Sequence, residues 1–235
     1  MTQRSLLVGQ TPNVIVRTGG DVSVQGWGND RVLAETDSRW GLKVERRSES
    51  EIARMRARVG DHTLLDVRVD PLGRLKKNVR SEAIEVQLGG SGKVSVPLGS
   101  TVKVYAGKGV EVQDIRGSVT LYAGANVRVR DVHTLVHVSA GGSIDFECEQ
   151  VEGDDVKFTA GRDLRCSIRG LTDARFMIDD LGGYWEATIG DGRTRVRLKA
   201  GGDVTLVTDQ RLTGQPPYDV IGKVERPNAA SSQNG

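Results

Sequence analysis

The feature that most constrains this chain is a short motif that keeps returning at the same phase. Its form is V-x-V-x-A-G-x-x-V-x-V, with Val, Leu, Ile, Phe or Cys at the apolar positions. Val102, Val104, Ala106, Gly107, Val110 and Val112 make one copy, and Val119, Leu121, Ala123, Gly124, Val127 and Val129 make the next. Further copies centre on Ala140-Gly141, Ala160-Gly161 and Ala200-Gly201. An early copy runs from Val14 to Val24, and one widened by a glycine insertion runs from Ile84 to Val96. Phe176 to Ala187 reads as a degenerate copy around Leu181 and Gly182. Successive alanines are 17, 17 and 20 residues apart, and the final gap of 40 has room for two units.

Each unit alternates apolar and polar residues, the period of a half-buried strand. The A-G-x-x segment breaks that alternation, and glycine there supplies the backbone freedom of a corner. One unit cannot bury its apolar face, but stacked units share a continuous interior. The predicted fold is therefore all-β: a β-solenoid (single-stranded β-helix) of about 17–20 residues per coil, with corners at Gly107, Gly124, Gly141, Gly161 and Gly201. An up-and-down meander or sandwich is the competing fold. The residue between the two apolar positions after each corner supports the stack. Down the chain it is Glu111, Arg128, Asp145, Arg165, Glu186 and then Thr205. Opposite charges one strand apart stabilise an in-register pairing.

Three regions follow. Residues 1–82 form an N-terminal β region with an irregular basic insertion at 38–82. Residues 83–210 form the regular stack, and 211–235 form a capping segment and a disordered tail. Within the insertion Trp40, Leu42 and Val44 alternate as in a strand, and Ser48 to Val59 fits either strand or helix. Tyr218, Val220 and Ile221 are candidates to cover the last coil.

VIVRTGGDVSVQGW at 14–27 and VPLGSTVKVYAGKGVEVQDIRG at 96–117, with the copies that follow, resemble the bacterial putative-adhesin β-strand-repeat family. The resemblance covers about two-thirds of the chain and implies a β-solenoid-like fold with no assigned catalytic residues, in proteins described as surface-associated. Bactofilins, β-helical cytoskeletal proteins that polymerise end to end, are a more distant likeness by architecture.

Composition narrows the function classes. The chain carries two cysteines, too few for a disulfide scaffold. It has no apolar run of the roughly 18 residues a membrane span needs. No secretory h-region is visible after the start, which predicts a cytoplasmic protein, while the resemblance implies a cell surface. No zinc spacing, nucleophile elbow or phosphate loop exists, and Gly-Gly-Ser-Gly at 89–92 lacks the lysine and helix of a P-loop. His133 and His137 lie about 13 Å apart along a strand, too far to share a metal. Cys148 and Cys166 fall at inward phases and read as small buried hydrophobes. The acid pairs Asp154-Asp155 and Asp179-Asp180, with Asp191, sit beside glycines where Asp favours turns, against the alternative of carboxylates for glycoside hydrolysis.

The basic residues are the more informative surface. Twelve Lys/Arg and six Asp/Glu lie between Arg39 and Arg80. Arg74, Lys76, Lys77 and Arg80 crowd one loop and are the candidate anion-binding residues. In the stack Lys103, His137, Lys157 and Arg197 share an outward phase, and so do Tyr105 and Tyr122. The expectation is a protein without catalytic, cofactor or metal sites. It is a structural, scaffolding or adhesin-like solenoid, associating with itself through coil ends or with another protein. A module for an anionic polymer or surface (nucleic acid, lipid or acidic glycan) is the alternative, and a polysaccharide-active enzyme the weakest reading.

Overall fold

A computed structural model describes residues 1–39, 41–47, 83–151, 155–208 and 213. Among the described residues the chain is all-β, without a helix, in one mixed sheet that does not close. Thr2–Leu7 (β1), Asn13–Thr18 (β2), Val22–Trp27 (β3), Arg31–Thr36 (β4) and Leu42–Arg47 (β5) come first. Ala83–Leu88 (β6), Gly92–Pro97 (β7), Thr101–Ala106 (β8), Val110–Ala123 (β9), Val127–Ala140 (β10) and Ile144–Val151 (β11) follow. Asp155–Ala160 (β12), Leu164–Ile168 (β13), Ala174–Asp180 (β14), Gly183–Ile189 (β15), Thr194–Ala200 (β16) and Val204–Thr208 (β17) complete the set.

Each repeat unit contributes one strand to each of two strand rows. The first face runs β5-β6-β2-β8, then the second halves of β9 and β10, then β12-β16-β14-β15. The second face runs β1-β4-β7-β3, then the first halves of β9 and β10, then β11-β13-β17. From β6 to β16 on the first face, and from β7 to β17 on the second, every pairing is parallel; repeat positions match except in β10, where register shifts put Leu135, not the repeat's Val136, opposite Val119 and in the core. Valines dominate the inward positions because a branched side chain suits a pleated, half-buried surface. One apolar cluster runs from Val14 to Leu206, and Phe146 and Phe158 meet in it with ring centroids 4.6 Å apart.

Two features of the order depart from a simple reading of the repeats. The earliest unit, β2-β3, does not begin the stack. It lies between the unit of β6-β7 and the unit that begins at β8, so the later sequence wraps both of its sides. The 40-residue gap does not hold two units either. β12 pairs directly with β16 and β13 with β17. The intervening Phe176 to Ala187 is part of an antiparallel hairpin, β14-β15, laid beyond β16. Leu181, taken as the degenerate corner, is the exposed tip of that hairpin at 77%. Only β14 of the pair keeps the parallel register, so the sequence likeness reflects strand alternation without the corner.

The starting end carries charge where the interior phase would continue. Arg4 on β1 stands opposite buried Ala34, and Arg46 on β5 stands opposite buried Ile84. Both arginines are exposed, and the Arg46 guanidinium donates to the Leu7 carbonyl at 2.7 Å. Inward-phase charges on edge strands block further strand addition.

Candidate functional site

The corners show why the sequence repeats as it does. A Cβ built on Gly124 would lie 2.2 Å from the Gly107 carbonyl oxygen, and one on Gly107 2.6 Å from that of Gly19. Gly141, Gly161 and Gly201 continue the column, each against the carbonyl of the glycine before it at 2.4, 2.2 and 2.5 Å. None of these five has a positive φ. Glycine is required here by the close approach of one unit's backbone to the next, which corrects the expectation of special corner dihedrals. Each glycine N–H donates to the residue before the neighbouring glycine, as Gly124 does to Ala106 at 3.0 Å.

A second device, invisible to a search for apolar period, ties alternate corners. Asp21 Oδ1 accepts from the Gly109 N–H at 2.9 Å, Asn126 Oδ1 from Ser143 at 2.9 Å, and Asp163 Oδ1 from Asp203 at 3.2 Å. Its signal was the last position of A-G-x-x, which reads Gly109, Asn126, Ser143, Asp163 and Asp203. Short polar side chains that bond nearby backbone are favoured at such places.

On the second face the charged row is Glu35, Lys93, Ser23, Glu111, Arg128, Asp145, Arg165 and Thr205, each in register with the next. Acids and bases balance. Glu186 is not in this row. It lies on β15 opposite Met177 and binds Arg175 through Oε2 at 2.5 Å.

The first face is unlike it. One outward row runs Glu85, Ile15, Lys103, Thr120, His137, Lys157, Arg197, Met177 and Glu186. The adjacent row runs Gln87, Arg17, Tyr105, Tyr122, Ser139, Thr159, Lys199 and Asp179. Every acid in or beside these rows is matched. Glu85, buried at 4%, lies 3.3 Å from Arg17 and 3.2 Å from Arg47. Asp155 binds Arg197 at 2.8 Å, and Asp179 binds Lys199 at 2.6 Å. The middle of the face, from β8 through β12, carries Lys103, His137 and Lys157 with hydroxyls from Thr120, Tyr122 and Ser139 between them, while the Thr159 hydroxyl is buried without a partner among the described residues. Burial first, then Lys157 and Lys103, holds the His137 imidazole below its ordinary pKa.

The aromatic side chains form a closed ladder. The Tyr105 and Tyr122 rings stack 5.1 Å apart at 6°. Arg17 covers the outer face of Tyr105 at 4.7 Å, and His137 meets Tyr122 at 5.2 Å. The ladder leaves neither outer tyrosine face open to a ligand. Beside it lies an open groove of about 530 Å³, lined by Arg17, Gln87, Tyr105, Tyr122 and Ser139 and by no carboxylate.

A further cavity of about 520 Å³ sits at the other corner, where Asp114 and Asp131 take positive φ (59° and 51°). Two of its acids are partnered within the cluster, Glu149 by His133 and Glu147 by Arg169. A register shift between Val132 and Thr134 accompanies the separation of His133, in this cavity, from His137, on the first face.

Arg74, Lys76, Lys77, Arg80, His62, Asp154, Tyr218, Val220 and Ile221 lie outside the described residues. The described members of the acid pairs each have a separate partner: Asp155 binds Arg197 and Asp179 binds Lys199, Asp180 accepts from the Gly182 N–H at 2.9 Å, and Asp191 binds Arg193 at 3.2 Å. Cys148 stands opposite Ile168 and Cys166 opposite Phe146, both thiols buried. Burial, with Glu149 adding to it, pushes the Cys148 pKa up to about 12, and burial raises that of Cys166 well above its usual value. No group of three or more His, Cys, Asp or Glu is placed to hold a metal among the described residues. No helix among them is long and apolar enough to cross a membrane.

No family model matches the chain, and no curated protein does. A solved structure from Clostridium sporogenes, described as a "putative cell adhesion protein", is similar at 8% identity over 88% of this chain and 98% of that one, with a TM-score of 0.37.

Proposed function

We propose that the chain is a β-solenoid serving as a non-catalytic, adhesin-like scaffold, a short rod whose flat faces are its working surface. The observation that carries this reading is the column of backbone contacts through Gly107, Gly124, Gly141, Gly161 and Gly201, which repeats one corner on top of another. It is supported by parallel register along both faces and by acids engaged in ion pairs and turns. Ten strands on the first face give a rod of about 45 Å at roughly 4.8 Å per strand. The arginines at the starting end argue for a discrete particle over an end-to-end filament.

Small-angle X-ray scattering with light scattering over a concentration series tests both parts. The expected result is an elongated particle of constant mass. An isometric scattering profile overturns the solenoid, and mass that grows into filaments overturns the discrete rod.

A further inference from the structure

The two faces share one backbone plan and differ in charge. The second face alternates sign along its row, with Glu35, Glu111 and Asp145 against Lys93, Arg128 and Arg165. From β6 onward the first face presents Arg17, Lys103, Lys157, Arg175, Arg195, Arg197 and Lys199 against Glu85, Asp155, Asp179 and Glu186. Of these acids Glu85 lies toward one end and Asp179 and Glu186 toward the other, while Asp155 on β12 is engaged by Arg197, so the stretch from β8 to β12 carries Lys103 and Lys157 as its further cations. There Lys103 and Lys157 are three strand steps apart, about 14 Å, with Thr120 and His137 in register between them. Lys157 is exposed and forms no ion pair among the described residues.

From this placement we propose that the first face binds an acidic polysaccharide, laid along the stacking axis over Lys103, Thr120, His137 and Lys157 with its edge in the groove beside Tyr105 and Tyr122. The reading rests on the coil stack proposed above. The chemistry separates this occupant from other polyanions. A single-stranded nucleic acid gains its affinity by stacking bases on free aromatic faces, and the Tyr105–Tyr122 ladder has both outer faces taken by Arg17 and His137. An anionic bilayer is held by clusters of four to eight cations beside apolar anchors, and the middle of this face offers no exposed large hydrophobic residue. A sugar chain asks for spaced cations for its carboxylates or sulfates, and for hydroxyls to pair with its own. Thr120 and Tyr122 on β9 and Ser139 on the neighbouring β10 supply hydroxyls one strand step of about 4.8 Å apart, a spacing close to the length of one sugar residue.

The test measures binding of the full chain to polygalacturonate (carboxylated), heparin (sulfated), neutral dextran, poly(dT) and phosphatidylserine vesicles, at low and physiological salt. Either acidic glycan should bind, more weakly with added salt, and dextran should not. The double variant K103Q/K157Q should weaken that binding about tenfold, from two lost charge contacts of the exposed kind. R128Q/R165Q, the equivalent double neutralisation on the second face, should leave it unchanged. Circular dichroism and scattering of both variants separate loss of the stack from loss of the site. The proposal is overturned if neither acidic glycan binds at low salt, if K103Q/K157Q binds as well as the parent, or if poly(dT) or vesicles bind more tightly than both glycans.

Discussion

At the scale of single residues, the corner glycines are the strictest positions. The methyl of Gly124→Ala meets a carbonyl of the neighbouring unit at 2.2 Å, and backbone hydrogen-bonded on both sides cannot yield cheaply. The expected cost is about 3 kcal/mol in urea unfolding, at the upper end for overpacking. Gly19→Ala is the internal control, since nothing lies within 4 Å of its added carbon and its φ is not positive, so its effect should stay under about 1 kcal/mol. Equal losses for the two would sink the close-approach account. The thiols give a second residue-scale outcome. With Cys148 shifted to about 12 and Cys166 also raised, neither forms thiolate at pH 8 in the folded chain. A disulfide reagent should titrate none of them until denaturant is added, and then both. What the sequence revealed at this scale was the glycine positions. Their reason was hidden, because the clash is with residues a whole unit away and period analysis sees only what is local.

At the scale of elements, the register was legible because inward phase repeats. Val102 and Val119 have little choice but to align, since a one-residue slip exposes every apolar side chain, whereas the extra residue in β10 that buries Leu135 in place of Val136 was not legible. The order of units was not legible. Nothing local in Val14 to Val24 says that its neighbours are Ile84 to Val96 on one side and Val102 to Val112 on the other, because all three present the same pattern. The β14-β15 hairpin was misread for the same reason: Phe176, Ile178, Ala187 and Ile189 are buried at strand period whether the strands run parallel or antiparallel. The capping side chains are testable here. Asn126→Ala removes the acceptor for the Ser143 N–H, and a loss of about 1 kcal/mol in thermal or urea melts is expected. On the edge strands, replacing Arg4 and Arg46 together with Val should convert the blocked end into an adhesive one. Light scattering should then show association that the parent lacks.

At the scale of the whole molecule, the first face was partly legible. The shared phase of Lys103, His137, Lys157 and Arg197 could be counted from the corners, whereas the pairing of Arg197 with Asp155 depends on side-chain reach. That face also gives the fold a pH dependence of calculable sign. His137 has a folded pKa below its ordinary value of about 6.5. The unfolded chain therefore takes up the proton first, and stability falls as pH drops through 6.5 toward the folded value. Parent protein should lose melting temperature between pH 7 and 5, and His137→Gln should lose less over the same range. An acidic glycan on Lys103 and Lys157 would relieve part of the repulsion and shrink that loss.

The interleaved first unit bears on how the chain is made. A ribosome delivers residues 13–27 early, yet the strands that flank them emerge about 70 and 88 residues later. Folding cannot then proceed rung by rung behind the exit tunnel, because this segment must wait with both of its edges unpaired until its partners are synthesised. Nascent chains halted before residue 83 should remain protease-sensitive over 13–27, and those released beyond residue 123 should protect it.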